Sequence, residues 1–436
     1  MITTDRFERE LPAALSDVAG TGRSDYLTDI LGRTARTPQR PAWASLERWL
    51  PVNIAILRAP VARVPWRPLV AAVLVLLLLV ALLAVYLGGQ GRVPPPFGPA
   101  RNGLIPYNAN GDILVGDPTT GTGRLLVGGA SNDYGPTFAP DGTLIGFLRA
   151  GARCPSPGED CPGGEDIVVV SPDGSGAHAI NTAPLVGIRA VTWASDSRSF
   201  FVAQGAYGVN RLTRIPVNGG SPQVLAQGLE VDWVLVRPPT GDELMVRGFV
   251  NGTFGIYRMR ADGSDVRLLA PGNVPGENFD NNQDLNFPVY SPDGTRIYFN
   301  RYVDAAQTIQ AWVMNADGSN QHRFNASGPA CCAWEGEMAP SPDGTSVLMW
   351  RVPPDGPAGG NQVTVFPVDG SGQGRTIGPR VTGTAHWAWS PDSTKVLLNY
   401  NASAEGDQVV IDVATGKWDT LPWNADAEPD WQRRAL

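Results

Sequence analysis

The chain has 436 residues, 42% of them hydrophobic, with 51 Gly, 39 Pro and a formal net charge of −8. That length is too great for one ordinary compact domain unless the fold is a repeat, and the Gly and Pro content favours many turns, as in all-β folds, without reaching the disordered range. Residues 1–67 carry ten Arg against seven acids, whereas the rest carries 24 basic against 35 acidic residues. An acidic body of this kind argues against nucleic acid as a partner, because phosphate binding needs basic patches.

In chain order, the first pieces read as short helices. Residues 4–19 place Phe7, Leu11 and Leu15 on one stripe, and residues 24–36 do the same with Leu27, Ile30 and Leu31. Thr4 and Ser24 are the candidate N-caps. About 66 residues make a small core, so such stripes call for a partner or a lipid surface. Residues 1–66 are therefore expected to form a helical cytoplasmic segment with a cytoplasmic partner as one option. Leu69–Leu87 then runs for 19 residues without a charge. That is the length of a bilayer span, so residues 67–88 are expected to form a single transmembrane helix in the lipid bilayer. Arg58, Arg63 and Arg67 crowd its N-terminal side. The positive-inside bias accordingly places the N-terminus in the cytoplasm and the remainder outside the cell membrane, in the envelope. Residues 89–103, with Pro94-Pro95-Pro96, read as a stiff linker.

From residue 104 to 433 two turn motifs recur. The first joins an aromatic or apolar residue to Ser-Pro-Asp-Gly or a variant and then an apolar strand: Phe138-APDG, Trp193-ASDS, Tyr290-SPDG, Pro340-SPDG and Trp389-SPDS, with a degraded copy after Val236. The second is a strand-to-strand turn ending in Gly121, Gly174, Gly219, Gly263, Gly318, Gly370 and Gly416, at spacings of 53, 45, 44, 55, 52 and 46. Pro presets φ, Asp bonds the backbone ahead of it, and Gly accepts the positive φ that other residues resist. A period near 50 with about four short strands predicts propeller blades. Seven copies of the second turn predict an all-β seven-bladed propeller. Six is the alternative, because the copy at 236–246 is weak. The first blade lacks an innermost strand, and Glu428-Pro429-Asp430-Trp431 is expected to supply it and close the ring.

The SPDG turns and the later Ala261-Asp-Gly-Ser264, Ala316-Asp-Gly-Ser319 and Val368-Asp-Gly-Ser371 turns resemble TolB-type propeller repeats over about residues 104–433. The resemblance implies the fold and leaves the activity open. The same repeats occur in prolyl oligopeptidase-type peptidases and in membrane-anchored bacterial proteins, and Leu31–Pro51 is similar to a stretch found ahead of the membrane helix in the latter.

Both stereotyped turns fall on one face of the disc, which leaves the irregular connections 151–164, 271–288, 325–335 and 353–362 on the other. Variable loops on a rigid scaffold are where ligands are usually met. The candidate ligand-binding residues on this loop face are Glu277, Asp280, Asp284, Trp334 and His386. The oxygen-rich stretch 271–288 could take Ca²⁺, but its spacing matches no EF-hand pattern, so no cofactor is expected. Cys154 and Cys161 enclose six residues and are candidates for a local disulfide. Cys331 and Cys332 are adjacent, and could pair with each other or elsewhere. Neither pair has zinc spacing.

No G-x-S-x-G elbow, Walker A, H-E-x-x-H or dinucleotide fingerprint occurs. The chain therefore reads as a non-enzymatic binding module for an envelope protein or an extracellular ligand. A transmembrane sensor of anti-sigma type acting through residues 1–66 and an envelope hydrolase built on a carboxylate pair are the alternatives.

Overall fold

The computed structural model describes Val70, 72–77, 93–151, 163–206, 209–272, 284–303, 308–325, 334–352, 360–381, 385–400, 407–423 and 428–436. The chain divides into two units, Met1–Tyr86 and Leu87–Leu436.

In the first unit, the described residues are Val70 and 72–77, and they are helical. They correct the single-pass reading and the membrane localisation built on it. Among the described residues no helix is long and apolar enough to cross a membrane. Hydropathy reports how apolar a run is, whereas spanning also requires an unbroken helix. The expected helices at 4–19 and 24–36 lie outside the described residues. The sensor reading, which needs a span to couple two compartments, falls with it.

The second unit is a ring of seven blades, as the repeat count predicts. Blade 1 pairs Ile105–Ala109, Asp112–Asp117 and Thr122–Val127. Blade 2 starts at Asn132–Phe138, blade 3 at Ile188–Trp193 and blade 4 at Glu230–Val236, each a four-stranded antiparallel sheet. Blades 5 and 6 start at Val289–Tyr290 and Trp334–Pro340 and are joined by one parallel bridge, Ile309 to Trp334. Blade 7 starts at Ala385–Trp389. The degraded repeat after Val236 builds a complete blade, with Val236 opposite Leu244 and Glu243–Val250 paired along its whole length to Thr253–Arg260. This removes the six-blade alternative.

The turns work as their residues dictate. In the first motif the Ser291 hydroxyl and the Thr295 N–H both donate to Asp293 Oδ1, at 2.5 and 3.0 Å, and Gly294 follows at φ +68°. In the second, the Ser264 hydroxyl donates to Asp262 and holds that carboxyl below its usual range. All seven predicted turn glycines have positive φ, from 69° at Gly121 to 91° at Gly174. At Gly263 a Cβ would sit 2.3 Å from the Leu225 carbonyl of the preceding blade, so close blade packing also demands glycine there.

The hydrophobic core is divided into wedges. Among the described residues seven buried clusters occur, one between each pair of neighbouring blades. Inner-strand tryptophans bridge blades: Trp193 Nε1 donates to Thr137 O, Trp233 Nε1 to Pro288 O and Trp389 Nε1 to Ala339 O. The ring closes at blade 1. Arg101 and Asn102 pair antiparallel with Arg434 and Arg433, and Gln432 N donates to Leu104 O at 2.8 Å. Trp431 is buried against Ile105 and Tyr107, while the 430–432 stretch reaches on to blade 2 through Phe138 N to Asp430 Oδ2 and Gln432 Nε2 to Gly142 O. Only Arg433–Arg434 forms a strand there, shorter than the sequence predicts, because Asp430 and Gln432 spend their polar groups on blade 2. The Arg433 guanidinium donates to Pro95 O, so the proline stretch lies against the closing segment.

Trp431→Ala is expected to lower stability by about 3–5 kcal/mol, since it empties a large buried site at the seam. Urea unfolding of the full chain measures it. A loss under about 1 kcal/mol would mean that the seam does not limit stability.

Candidate functional site

Each inner strand enters from the loop face, so its first residues frame the mouth of the central channel. Four blades build an acid there and an Arg on or beside it. In blade 2, Arg149 Nε and Nη2 donate to both Asp133 oxygens at 2.7 and 2.8 Å, a bidentate pair fixed by strand register. Blade 4 pairs Asp232 with Arg247, and burial of Asp232 raises its pKa despite the guanidinium. In blade 6, Glu335 lies between Arg323 and Arg351 at 2.9 and 3.0 Å. In blade 5, Asp284 is fully buried, accepts the Tyr302 N–H at 3.0 Å and faces Arg301. Asp284, expected on an open loop, thus serves inside the disc. Buried acids of this kind are tolerable only when paired.

Blades 7, 1, 2 and 3 frame a different sector. A cavity of about 870 Å³ opens there, lined by Asn108, Tyr134, Glu165, Arg189, His386 and Glu428 among others. Its apolar wall includes Phe147, Ile167, Ile188 and Phe200. His386 sits opposite Asn399 on the second strand of blade 7, where the ion-paired blades place Arg, and its Nδ1 is 3.9 Å from Glu428 Oε1. Among the sequence candidates, His386 is the one that lines this cavity. Trp334 begins the inner strand of blade 6, and its side chain lies outside the described residues. Glu277, Asp280, Cys154, Cys161, Cys331 and Cys332 also lie outside them. Among the described residues no group of three or more His, Cys, Asp or Glu could hold a metal ion.

Two carboxyls here are pushed toward neutrality. Glu165 rises to about 7 through burial. Glu337, on the inner strand of blade 6, also rises to about 7, through burial first and the Glu428 charge second. Glu337 occupies a bulge at φ 50°, with its N–H donated to Asn300 Oδ1 at 3.0 Å. The matching bulge in blade 2 uses Gly135 at φ 63°. A non-glycine residue in that conformation is strained by roughly 1 kcal/mol or more.

Sequence reasoning missed Asn108, Glu165, Arg189, Glu337 and Glu428 because it looked for the site on the loops. A signal was present. Arg149, Arg247, Arg301 and Arg351 recur near the ends of the second strands of their blades, and Gln204 and Asn399 stand in that place in blades 3 and 7. These two exceptions border the open sector, and the ion-paired blade 2 lies within it.

No family model matches the chain. An uncharacterised protein of Agrobacterium fabrum is 29% identical over 199 residues, which cover 43% of this chain and 60% of the relative, so the match spans less than two thirds of that protein. The periplasmic gluconolactonase PpgL of Pseudomonas aeruginosa is similar in structure at 16% identity and a TM-score of 0.52, over 76% of this chain and 99% of that one. The chain folds as the seven-bladed propeller that its TolB-type repeats imply. TolB from Acinetobacter baumannii is similar at 14% identity and a TM-score of 0.47, over 75% of this chain and 81% of that one. At these identities the likeness concerns the fold, which enzymes and non-enzymes share.

Glu337→Gln is expected to stabilise the protein at pH 8 and to change it little at pH 5. A carboxyl whose folded pKa is raised costs nothing below its unfolded value near 4.5, and its penalty grows as pH rises through about 7. Denaturant titrations of both proteins at the two pH values test this. An equal effect at both would remove ionisation of Glu337 as the cause.

Proposed function

We propose that this propeller is a binding module that receives its ligand, a segment of a partner protein or a small polar molecule, at the channel mouth between blades 7, 1, 2 and 3. The observation that carries this reading is the cavity of about 870 Å³, which has the size of ligand sites and combines aromatic walls with a few converging polar groups. On the blade 2 side the Asp133–Arg149 fork fixes the rim, so a ligand is met there by a preformed surface.

Thr137 is exposed on the inner strand of blade 2 and lines this cavity. Thr137→Trp is expected to fill the cavity while changing melting by no more than about 2 °C, because an exposed substitution disturbs little packing. Ligands found by thermal-shift screening of peptides and small polar molecules are then expected to bind the variant at least tenfold more weakly. Ligands that bind both proteins equally would move the site elsewhere.

A second reading, catalysis, is favoured by one observation. Glu337 holds its carboxyl near neutrality beside the Glu428 carboxylate, and acid–base pairs are separated in this way. PpgL is a gluconolactonase, so a sugar lactone is the substrate to try. The binding reading expects no turnover. Turnover abolished by Glu337→Gln, with folding intact, would replace it.

A further inference from the structure

Glu165 opens the third strand of blade 2, Glu165–Val170, and is 6% exposed. Its backbone is locked by reciprocal bonds with Leu185, N to O at 2.7 and 2.8 Å, so its place on the cavity wall is fixed. Among the described residues no hydrogen bond or ion pair reaches its carboxylate. This sets it apart from Asp133 and Glu335, buried acids that each face an Arg.

The charged neighbours do not supply the missing partner. In strand register Glu165 lies opposite Ala150. The adjacent Arg149 has both arms on Asp133, and Asp166 accepts from Asn181 Nδ2 at 2.7 Å. Arg189 also lines the cavity, but among the described residues no ion pair or hydrogen bond joins it to Glu165. The remaining groups facing the space are Glu428, a second carboxylate, and His386 beside it. Asn108 adds a further acceptor. It is 5% exposed, lines the cavity and leaves Oδ1 without a hydrogen-bond partner among the described residues.

Apart from Arg189, the cavity therefore presents acceptors and negative charge, with the rings of Tyr134, Phe147 and Phe200 in its lining. An anion would meet two carboxylates. An uncharged guest would leave Glu165 without a counter-charge in a desolvated place. A cationic nitrogen supplies the counter-charge and the N–H donors together, and gains from the aromatic faces as well. We propose that this cavity binds an ammonium or guanidinium group, with Glu165 as its counter-ion and Asn108 as its second acceptor. The inference rests on the binding reading above and names the chemistry that site selects. A basic side chain of a peptide and a free polyamine share this chemistry.

The test is calorimetric titration of the full chain, and of Glu165→Gln and Thr137→Trp, with spermidine, with an acetylated and amidated Gly-Arg-Gly-Lys-Gly peptide, and with uncharged maltotriose. At least one cationic probe is expected to bind, and whichever binds more tightly identifies the source. Its affinity is expected to fall tenfold or more in Glu165→Gln, which keeps the shape and removes the charge. It is also expected to fall about tenfold from pH 8 to pH 6. Cation binding needs the ionised carboxylate, and a group titrating at about 7 is roughly nine-tenths ionised at the first pH and one-tenth at the second. A native-like melting profile for Glu165→Gln separates lost binding from lost folding. Failure of both cations to bind overturns the inference, as does equal binding by Glu165→Gln. If maltotriose alone binds and Thr137→Trp blocks it, the cation chemistry fails while the cavity reading stands. If Thr137→Trp alters no binding that is seen, both fail.

Discussion

The structure depends on one seam, where Gln432, Arg433 and Arg434 lie along Asn102, Leu104 and Arg101. A propeller of this kind has no central core. Its apolar side chains are buried only between blades, so every wedge needs neighbours on both sides. Six of the seven wedges join blades that follow one another in the chain. The seventh, holding Ile105, Tyr107, Leu397, Trp423 and Trp431, joins the last blade and the closing segment to the first. Without it, blades 1 and 7 would each expose an apolar face and a sheet edge. Closure is entropically the costliest contact in the fold, because it brings together residues more than 300 positions apart. Its buried tryptophans and side-chain bonds to blade 2 offset that cost where it arises.

Closure also sets the geometry of the channel mouth. The inner strands converge there, and their first residues would crowd charge into a small desolvated space if each blade contributed an acid alone. Four blades answer with an arginine on or beside that acid, reached across two adjacent strands in blades 2, 4 and 6. The pairs add little net stability, because desolvation consumes most of the Coulomb gain. They do fix side-chain positions, and broken pairs would be costly. The rim is thus rigid on the side of blades 4, 5 and 6. On the side of blades 7 and 1 it carries His386, Asn108 and Glu428, which are not tied down by such forks.

Much of the fold was legible because turn chemistry is local. Ser-Pro-Asp-Gly and the Asp-Gly-Ser turns state their conformation within four residues, and Gly121 through Gly416 count the blades without any tertiary information. The weak copy after Val236 misleads only on motif similarity, since the apolar run Leu244-Met245-Val246 is strand-like whatever turn precedes it. The apolar run Leu69–Leu87 shows the opposite case. Hydropathy is a statement about solvent preference, and among the described residues no helix long and apolar enough to cross a membrane accompanies it. The site was harder to read. Asp284 looks like a loop carboxylate in sequence and is sealed beneath Tyr302 and Arg301 in the fold. Glu165 looks like the start of an ordinary strand. Only the placement of Arg149 on Asp133 shows that it has been left without a partner.

Two acidic residues depart from what the matching or comparable positions of other blades do. Glu337 holds a positive φ where blade 2 uses glycine, and it is a carboxyl in a place that raises its pKa. Glu165 is a buried acid without the arginine that its counterparts have. Glycine at the first position and a neutral or apolar residue at the second would each give a more stable propeller by the same principles that build the other blades. A fold selected for stability alone has no use for either. Glu165 opens the third strand of blade 2 and Glu337 lies on the inner strand of blade 6, each held in place by strand register. Local conflicts that persist on an otherwise consistent scaffold mark functional positions. That reasoning is what favours the channel mouth, with its strand residues, as the place to look for a ligand.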